Sequence, residues 1–251
     1  MKQLHAVITG ASQGLGLVIA QRLLRESWRV SLLSRKKVSG IAPRFKKSAF
    51  WIKTDARLPQ NLRRSAKEAA AFAGPINLWI NNVGISAWRP LKKIDEKFWN
   101  EMVETNLKST LFGCQAALSY MQKGGVIINI SSLAGKRGSA NNSLYCATKF
   151  GVNGITQSLA KELGPMGIRV NAVCPVYLQT PGLKTALRDK YSPSKGKAIG
   201  SYLKKFADEN AALHRLPQAE EVANLCLFLA SASASAITGQ CINVDCGVLP
   251  Q

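Results

Sequence analysis

The chain has 251 residues, 46% of them hydrophobic, with 34 Lys and Arg against 14 Asp and Glu for a net charge of +20. That length and apolar content supply one sizeable core, and 20 Gly with 10 Pro exclude collagen-like and disordered classes. No apolar run reaches the roughly 18 residues of a membrane span, and the cysteines and histidines show no metal-ligand spacing, so a soluble, cytoplasmic chain with free thiols and no metal is expected.

In chain order, a strand at residues 4–8 runs through a glycine-rich turn into a helix over 15–26. Strands at 29–33 and 50–52 follow, then a helix over 62–73 and a strand at 78–80. One long helix is expected over 96–121, then a strand at 126–130, a helix over 143–163 and a strand at 169–173. A helix over 219–230 and a strand at 241–244 close the chain. The strands are nearly continuous apolar runs, as expected for parallel strands covered on both faces. Repeated strand–helix units imply a Rossmann-type, doubly wound α/β fold: one domain over residues 1–251, with a seven-stranded parallel sheet flanked by helices. Residues 181–210 break the rhythm. They are basic and bracketed by polar residues and proline, and read as a substrate-side loop or lid.

Two motifs carry chemistry. In AVITGASQGLG, Gly10, Gly14 and Gly16 stand between the first strand and the first helix. Glycines there let backbone amides approach a pyrophosphate, and the helix N-terminus adds a favourable dipole. In SSLAGKRGSANNSLYCATK, Tyr145 and Lys149 are four residues apart, so they share a helix face. A neighbouring ammonium is expected to lower the phenol's pKa and fit it for proton transfer near neutrality.

Together with NNVG (residues 81–84), TNL around Asn106 and ITGQCINVDCG near the end, these motifs resemble the short-chain dehydrogenase/reductase family over essentially the whole chain. The 3-oxoacyl-carrier-protein reductases are the most similar group in that family. The resemblance implies Tyr145 as proton donor to a substrate carbonyl, Ser132 as a donor to the developing alkoxide, and Lys149 holding the nicotinamide ribose. It implies Asn106 as anchor of a water in a proton relay. It also places the cofactor against Gly10, Ser12, Gln13, Gly14, Leu15, Gly16, Asn82, Gly84, Pro175 and Thr180, with Asp55 on the adenine amino group.

After the second strand, Ser34 stands where an acid would bind ribose hydroxyls, and Arg35, Lys36 and Lys37 follow. A basic fork there favours a 2′-phosphate, so NADP(H) is the expected cofactor. Gln13 departs from the Arg of many NADP-linked relatives. Val176 replaces the glycine that usually follows Pro175, where its β-carbon is expected to crowd the loop, and Cys246 replaces a glycine near the end.

The resemblance implies a keto or hydroxy substrate and a homodimer or homotetramer. The basic 181–210 segment suits a thioester on an acidic acyl carrier protein, and would equally suit a coenzyme A ester or a sugar nucleotide. Two other readings stand: an NAD-linked alcohol or sugar dehydrogenase, and a non-catalytic nucleotide-binding protein that uses its basic surface. No RNP-like, zinc-finger or helix-turn-helix pattern accompanies the charge, so nucleic acid is not expected.

Overall fold

The computed structural model describes residues 3–250. Strand β1 (His5–Thr9) is buried at every residue and lies in the interior of the sheet. It is followed by α1 (Gly14–Arg25), β2 (Arg29–Ser34), β3 (Ala49–Lys53), α2 (Pro59–Ala73) and β4 (Ile76–Asn81). Then come α3 (Glu96–Val103), α4 (Ser109–Leu118), β5 (Met121–Ile130), α5 (Ser143–Leu163) and β6 (Arg169–Pro175). The chain ends with α6 (Pro181–Leu187), α7 (Ile199–Asn210), α8 (Ala219–Ala230) and β7 (Cys241–Val244).

The seven strands pair in the order β3-β2-β1-β4-β5-β6-β7, all parallel. Alternate residues of each strand feed two cores. Ala6 and Ile8 face the core built with Ile19 and Leu23 of α1 and Val222 and Cys226 of α8. Val7 faces the other, with Leu62 and Ala66 of α2 and Cys114 and Ala117 of α4. A buried side chain of this size contributes about 1.5–3 kcal/mol, so strands buried on both faces anchor the layers. Between β1 and β4 the winding reverses, and the carboxyl edges of these two strands part to leave a crevice.

The expected helix over 96–121 runs without a gap over 96–118, but it winds as α3, a π-helical turn at Glu104–Lys108 and then α4, and Met121 already begins β5. The cause is local. The Asn106 side chain bonds the Ile85 backbone in both directions, while Ser109 and Thr110 hydroxyls donate to the carbonyls of Thr105 and Asn106. Such competition for backbone groups widens a turn, and π-turns of this kind gather at functional sites. Residues 181–210 hold α6 and α7, both carried on the carboxyl-edge side.

Candidate active site

At the end of β1, Gly10 adopts φ +69° and Gly14 φ +57°, turning the chain sharply into α1. A β-carbon on Gly16 would lie 2.5 Å from Asn82 Nδ2 and 2.6 Å from the Gly10 carbonyl oxygen, so only glycine fits. Asn82 closes this cradle by donating from Nδ2 to the carbonyls of Thr9 (3.0 Å) and Gly10 (3.2 Å). Thr9 Oγ1 in turn accepts from the Asn82 and Val83 amides, stitching β1 to the end of β4. Helix α1 has no acidic residue in its first turn and no side-chain cap at Gln13, which leaves its amides for an external anion. Ser12 is half-buried at the same turn and Leu15 is buried in the core, so Leu15 offers the anion only its backbone. These features fit the pyrophosphate of a dinucleotide.

Four residues meet across the crevice. Tyr145 and Lys149 project from α5, with Lys149 Nζ 5.8 Å from the Tyr145 ring centre. Tyr145 is hydrogen-bonded to Ser132, and Ser132 Oγ accepts from the Ala134 amide at 3.1 Å, which leaves its own proton to donate. Lys149 Nζ donates to the Ile130 carbonyl at 2.9 Å. Asn106 Oδ1 accepts from the Ile85 amide at 2.8 Å, and its Nδ2 donates to the Ile85 carbonyl at 3.0 Å and to Thr148 Oγ1 at 3.2 Å. Gly84 sits between the last two: a β-carbon there would lie 3.4 Å from Asn106 Oδ1 and 3.6 Å from Lys149 Nζ. Ser131, adjacent to Ser132, turns instead to the Lys149 carbonyl.

Burial moves the two titratable groups in opposite directions. It pushes the Tyr145 phenol up to about 12, opposed by the Ser132 hydrogen bond, and lowers the Lys149 ammonium to about 8. The expected lowering of the phenol by its neighbour is therefore absent without a ligand, because desolvation outweighs it. The chain alone presents a protonated phenol beside an amine whose charge is weakened.

The family model described as enoyl-(acyl carrier protein) reductase matches residues 10–249. A 3-oxoacyl-[acyl-carrier-protein] reductase of Staphylococcus aureus is 34% identical over 251 residues, covering 97% of each chain. A diacetyl reductase [(S)-acetoin forming] of the same organism is 35% identical, covering 97% of this chain and 96% of its own. The solved structure of an actinorhodin polyketide ketoreductase with NADPH superposes with a TM-score of 0.88 at 30% identity, covering 98% and 97%. The chain belongs to the short-chain dehydrogenase/reductase family.

As a short-chain dehydrogenase/reductase it is an oxidoreductase acting on carbonyl or hydroxyl groups with a nicotinamide dinucleotide. Several residues named from the sequence take positions of their own here. The Ser34 hydroxyl is engaged within the chain, donating to the Lys36 carbonyl at 2.6 Å and accepting from Trp51 Nε1 at 3.0 Å. Arg35, Lys36 and Lys37 beside it are exposed. Asp55 is gripped by Arg57 through Nη2 (2.6 Å), Nε (3.0 Å) and the backbone amide (3.1 Å), which holds its carboxyl below the usual carboxylate range. Pro175 ends β6. The Val176 backbone avoids the left-handed region and its side chain packs with Leu133 and Phe206, so the β-carbon is accommodated. Cys246, by contrast, does adopt φ +57°. Thr180 Oγ1 caps α6 by accepting from Leu183 N, and its Cβ would lie 3.5 Å from a β-carbon on Gly14, directly across the crevice.

One residue escaped the sequence reading: Arg57 was legible only as an Arg two places after Asp55. Tyr177, next to Val176, is a half-buried phenol bonded to Tyr202 of α7 at 3.3 Å. A cavity of about 710 Å³ opens beside Gly14 and Thr180 toward Leu203, Lys204 and His214, and none of Asn106, Ser132, Tyr145 and Lys149 lines it. The hydrogen-bond geometry, not the cavity, locates the chemistry. Among the described residues no group of His, Cys, Asp and Glu could hold a metal, and no helix is long and apolar enough to cross a membrane.

Proposed function

We propose that the chain is an NADPH-dependent keto reductase acting on 3-oxoacyl thioesters, with residues 181–210 as the lid over the substrate. One observation carries this reading: the hydrogen-bonded Tyr145–Ser132 pair stands with Lys149 and Asn106 around Gly84, at the mouth of the glycine cradle. When bound, the dinucleotide supplies a hydride. The chain's own groups do the rest. Ser132 Oγ donates to the carbonyl oxygen and orients it, and Tyr145 delivers its proton to that oxygen as negative charge develops. Lys149 holds ribose hydroxyls, and its proximity to Asn106 suits a relay that restores the phenol proton.

Exposed Arg35, Lys36 and Lys37 and the lack of an acid at position 34 support NADP(H) over NAD(H). The similarity to carrier-dependent reductases, together with the basic lid, supports a carrier-bound thioester. The exposed apolar side chains Leu111 on α4 (43%) and Phe150 on α5 (48%) support pairing of these helices between two copies. The test is the initial rate of NADPH and of NADH oxidation with an acetoacetyl thioester, with diacetyl and with a crotonyl thioester. Fastest turnover of the acetoacetyl thioester with NADPH is expected. A preference for diacetyl, for the enoyl compound or for NADH would overturn the corresponding part of the reading.

A further inference from the structure

Arg89, in the segment between β4 and α3, is a cation without an oxygen partner. Its Nε is buried and has no acceptor, and among the described residues its guanidinium makes no hydrogen bond and no ion pair. Arg22, Arg57, Arg64 and Arg215 each hold a carboxylate, and Arg169 donates to three backbone carbonyls. Arg29 and Arg44 also lie over a ring, Phe72 and Phe45, but among the described residues only Arg89 has a buried guanidinium nitrogen left without an acceptor. What Arg89 has instead is aromatic: its guanidinium carbon lies 4.7 Å from the Phe98 ring centre and 5.9 Å from that of Tyr191. Stacking of this kind attracts the charge through the face of the guanidinium. It leaves the in-plane N–H donors unused, and a buried donor without an acceptor is costly.

The place matters as much as the vacancy of those donors. Phe98 belongs to the apolar cluster that contains Ile85, Ala87, Leu144 and Tyr145. Tyr191 belongs to the cluster formed by Trp88, Leu187, Leu203, Tyr177 and Tyr202. The Arg89 amide donates to the carbonyl of Asn141 at 2.6 Å, a residue held at φ +60° just ahead of α5. Arg89 therefore touches α3, the 181–210 segment and the loop before the catalytic helix, and Phe98, one of its two rings, packs in the same cluster as Tyr145.

We propose that Arg89 binds an oxyanion, carboxylate or phosphate, carried by the substrate, so that the enzyme selects anionic ketones over neutral ones. This rests on reading the Tyr145 site as the place of carbonyl reduction. A planar guanidinium held by two rings presents paired N–H groups in fixed geometry, which matches the two oxygens of a carboxylate or phosphate.

Two matched substrate pairs test it: acetoacetyl-pantetheine against acetoacetyl-phosphopantetheine, and methyl levulinate against levulinate. In the wild-type enzyme the anionic member of at least one pair is expected to have the higher kcat/KM, by about 10- to 100-fold, the size of a charge-assisted contact. Arg89→Met should bring that ratio close to one, and Arg89→Lys, which keeps the charge without the fork, should retain part of it. Equal kcat/KM within both pairs, or a ratio that survives Arg89→Met, would overturn the proposal and leave Arg89 as a strut between α3 and residues 181–210. If Arg89→Met does not fold, the wild-type ratio and the Arg89→Lys ratio decide. If neither member of either pair is turned over, it is the Tyr145 reading that fails. The oxyanion site is then decided by melting of the NADP-saturated protein: levulinate or phosphopantetheine should raise the melting temperature of wild type and not of Arg89→Met, and no difference would overturn it.

Discussion

Lys149 is almost fully buried, and a Born cost falls on its ammonium that no carboxylate offsets. The consequence is a pH-dependent stability with a definite sign. Unfolded Lys149 titrates near its ordinary value of 10.5 and folded Lys149 near 8, so between these values the unfolded chain binds more protons and stability rises with pH. Below about pH 8 the full penalty stands, on the order of 3 kcal/mol. Lys149→Met removes it. In urea unfolding, the stability of wild type relative to Lys149→Met should therefore climb between about pH 8 and about pH 10.5. Tyr145, raised from its ordinary value of 10.0 to about 12, is common to both proteins and cancels in the difference. A flat difference would show that Lys149 is not desolvated as the structure has it. The same residues show what a sequence pattern cannot carry. The four-residue spacing put Tyr145 and Lys149 on one face, but whether charge or burial governs the phenol depends on how tightly the surrounding elements enclose it.

At the scale of the elements, a buried polar network ties β4 to β5 and α5, and reaches α4 through the bond from Asn81 Nδ2 to Cys114 Sγ at 3.2 Å. Asn81 Nδ2 donates to Asn129 Oδ1 at 2.9 Å, Trp79 Nε1 donates to Asn81 Oδ1 at 2.7 Å, and Asn129 Nδ2 reaches Thr156 on α5 at 2.9 Å. Gly113 lets α4 lie close over this network, because a β-carbon there would overlap Asn81 Oδ1. Gly113→Ala should cost at least about 2 kcal/mol, the sum of overpacking and a strained buried hydrogen bond, read as a lower urea midpoint. A change under about 0.5 kcal/mol would mean that the helix shifts freely. Element boundaries were legible wherever packing follows periodicity: α5 and α8 span the residues expected, and β7 does too. The π-turn inside 96–121 was not, since the apolar pattern continues through it. Only the backbone bonds of Asn106 to Ile85, a residue distant in sequence, reveal why the turn widens.

For the molecule as a whole, the parallel order with β1 beside β4 decides where ligands go, and this was readable from strand–helix alternation and from the glycine turn. The family motifs placed Asn106, Ser132, Tyr145 and Lys149, and the fold brings them to one crevice. Of what the chain adds on its own, the Arg57 grip on Asp55 is local, two residues apart, whereas the Arg89 stack depends on side chains meeting across distant segments. The pairing of copies proposed through Leu111 and Phe150 belongs to this scale as well. Phe150→Asp buries a charge at that contact, so light scattering should show a shift toward monomer, while an unchanged mass would place the interface elsewhere.

The most direct measurement compares wild type with Tyr145→Phe for the rate of NADPH oxidation with an acetoacetyl thioester, alongside NADPH binding by fluorescence. Removing the hydroxyl bonded to Ser132 at the crevice should lower kcat by about 10²- to 10⁴-fold and leave the protein folded and able to bind NADPH. A variant that turns over within a few-fold of wild type would show that the proton comes from elsewhere and that Tyr145 is a core residue.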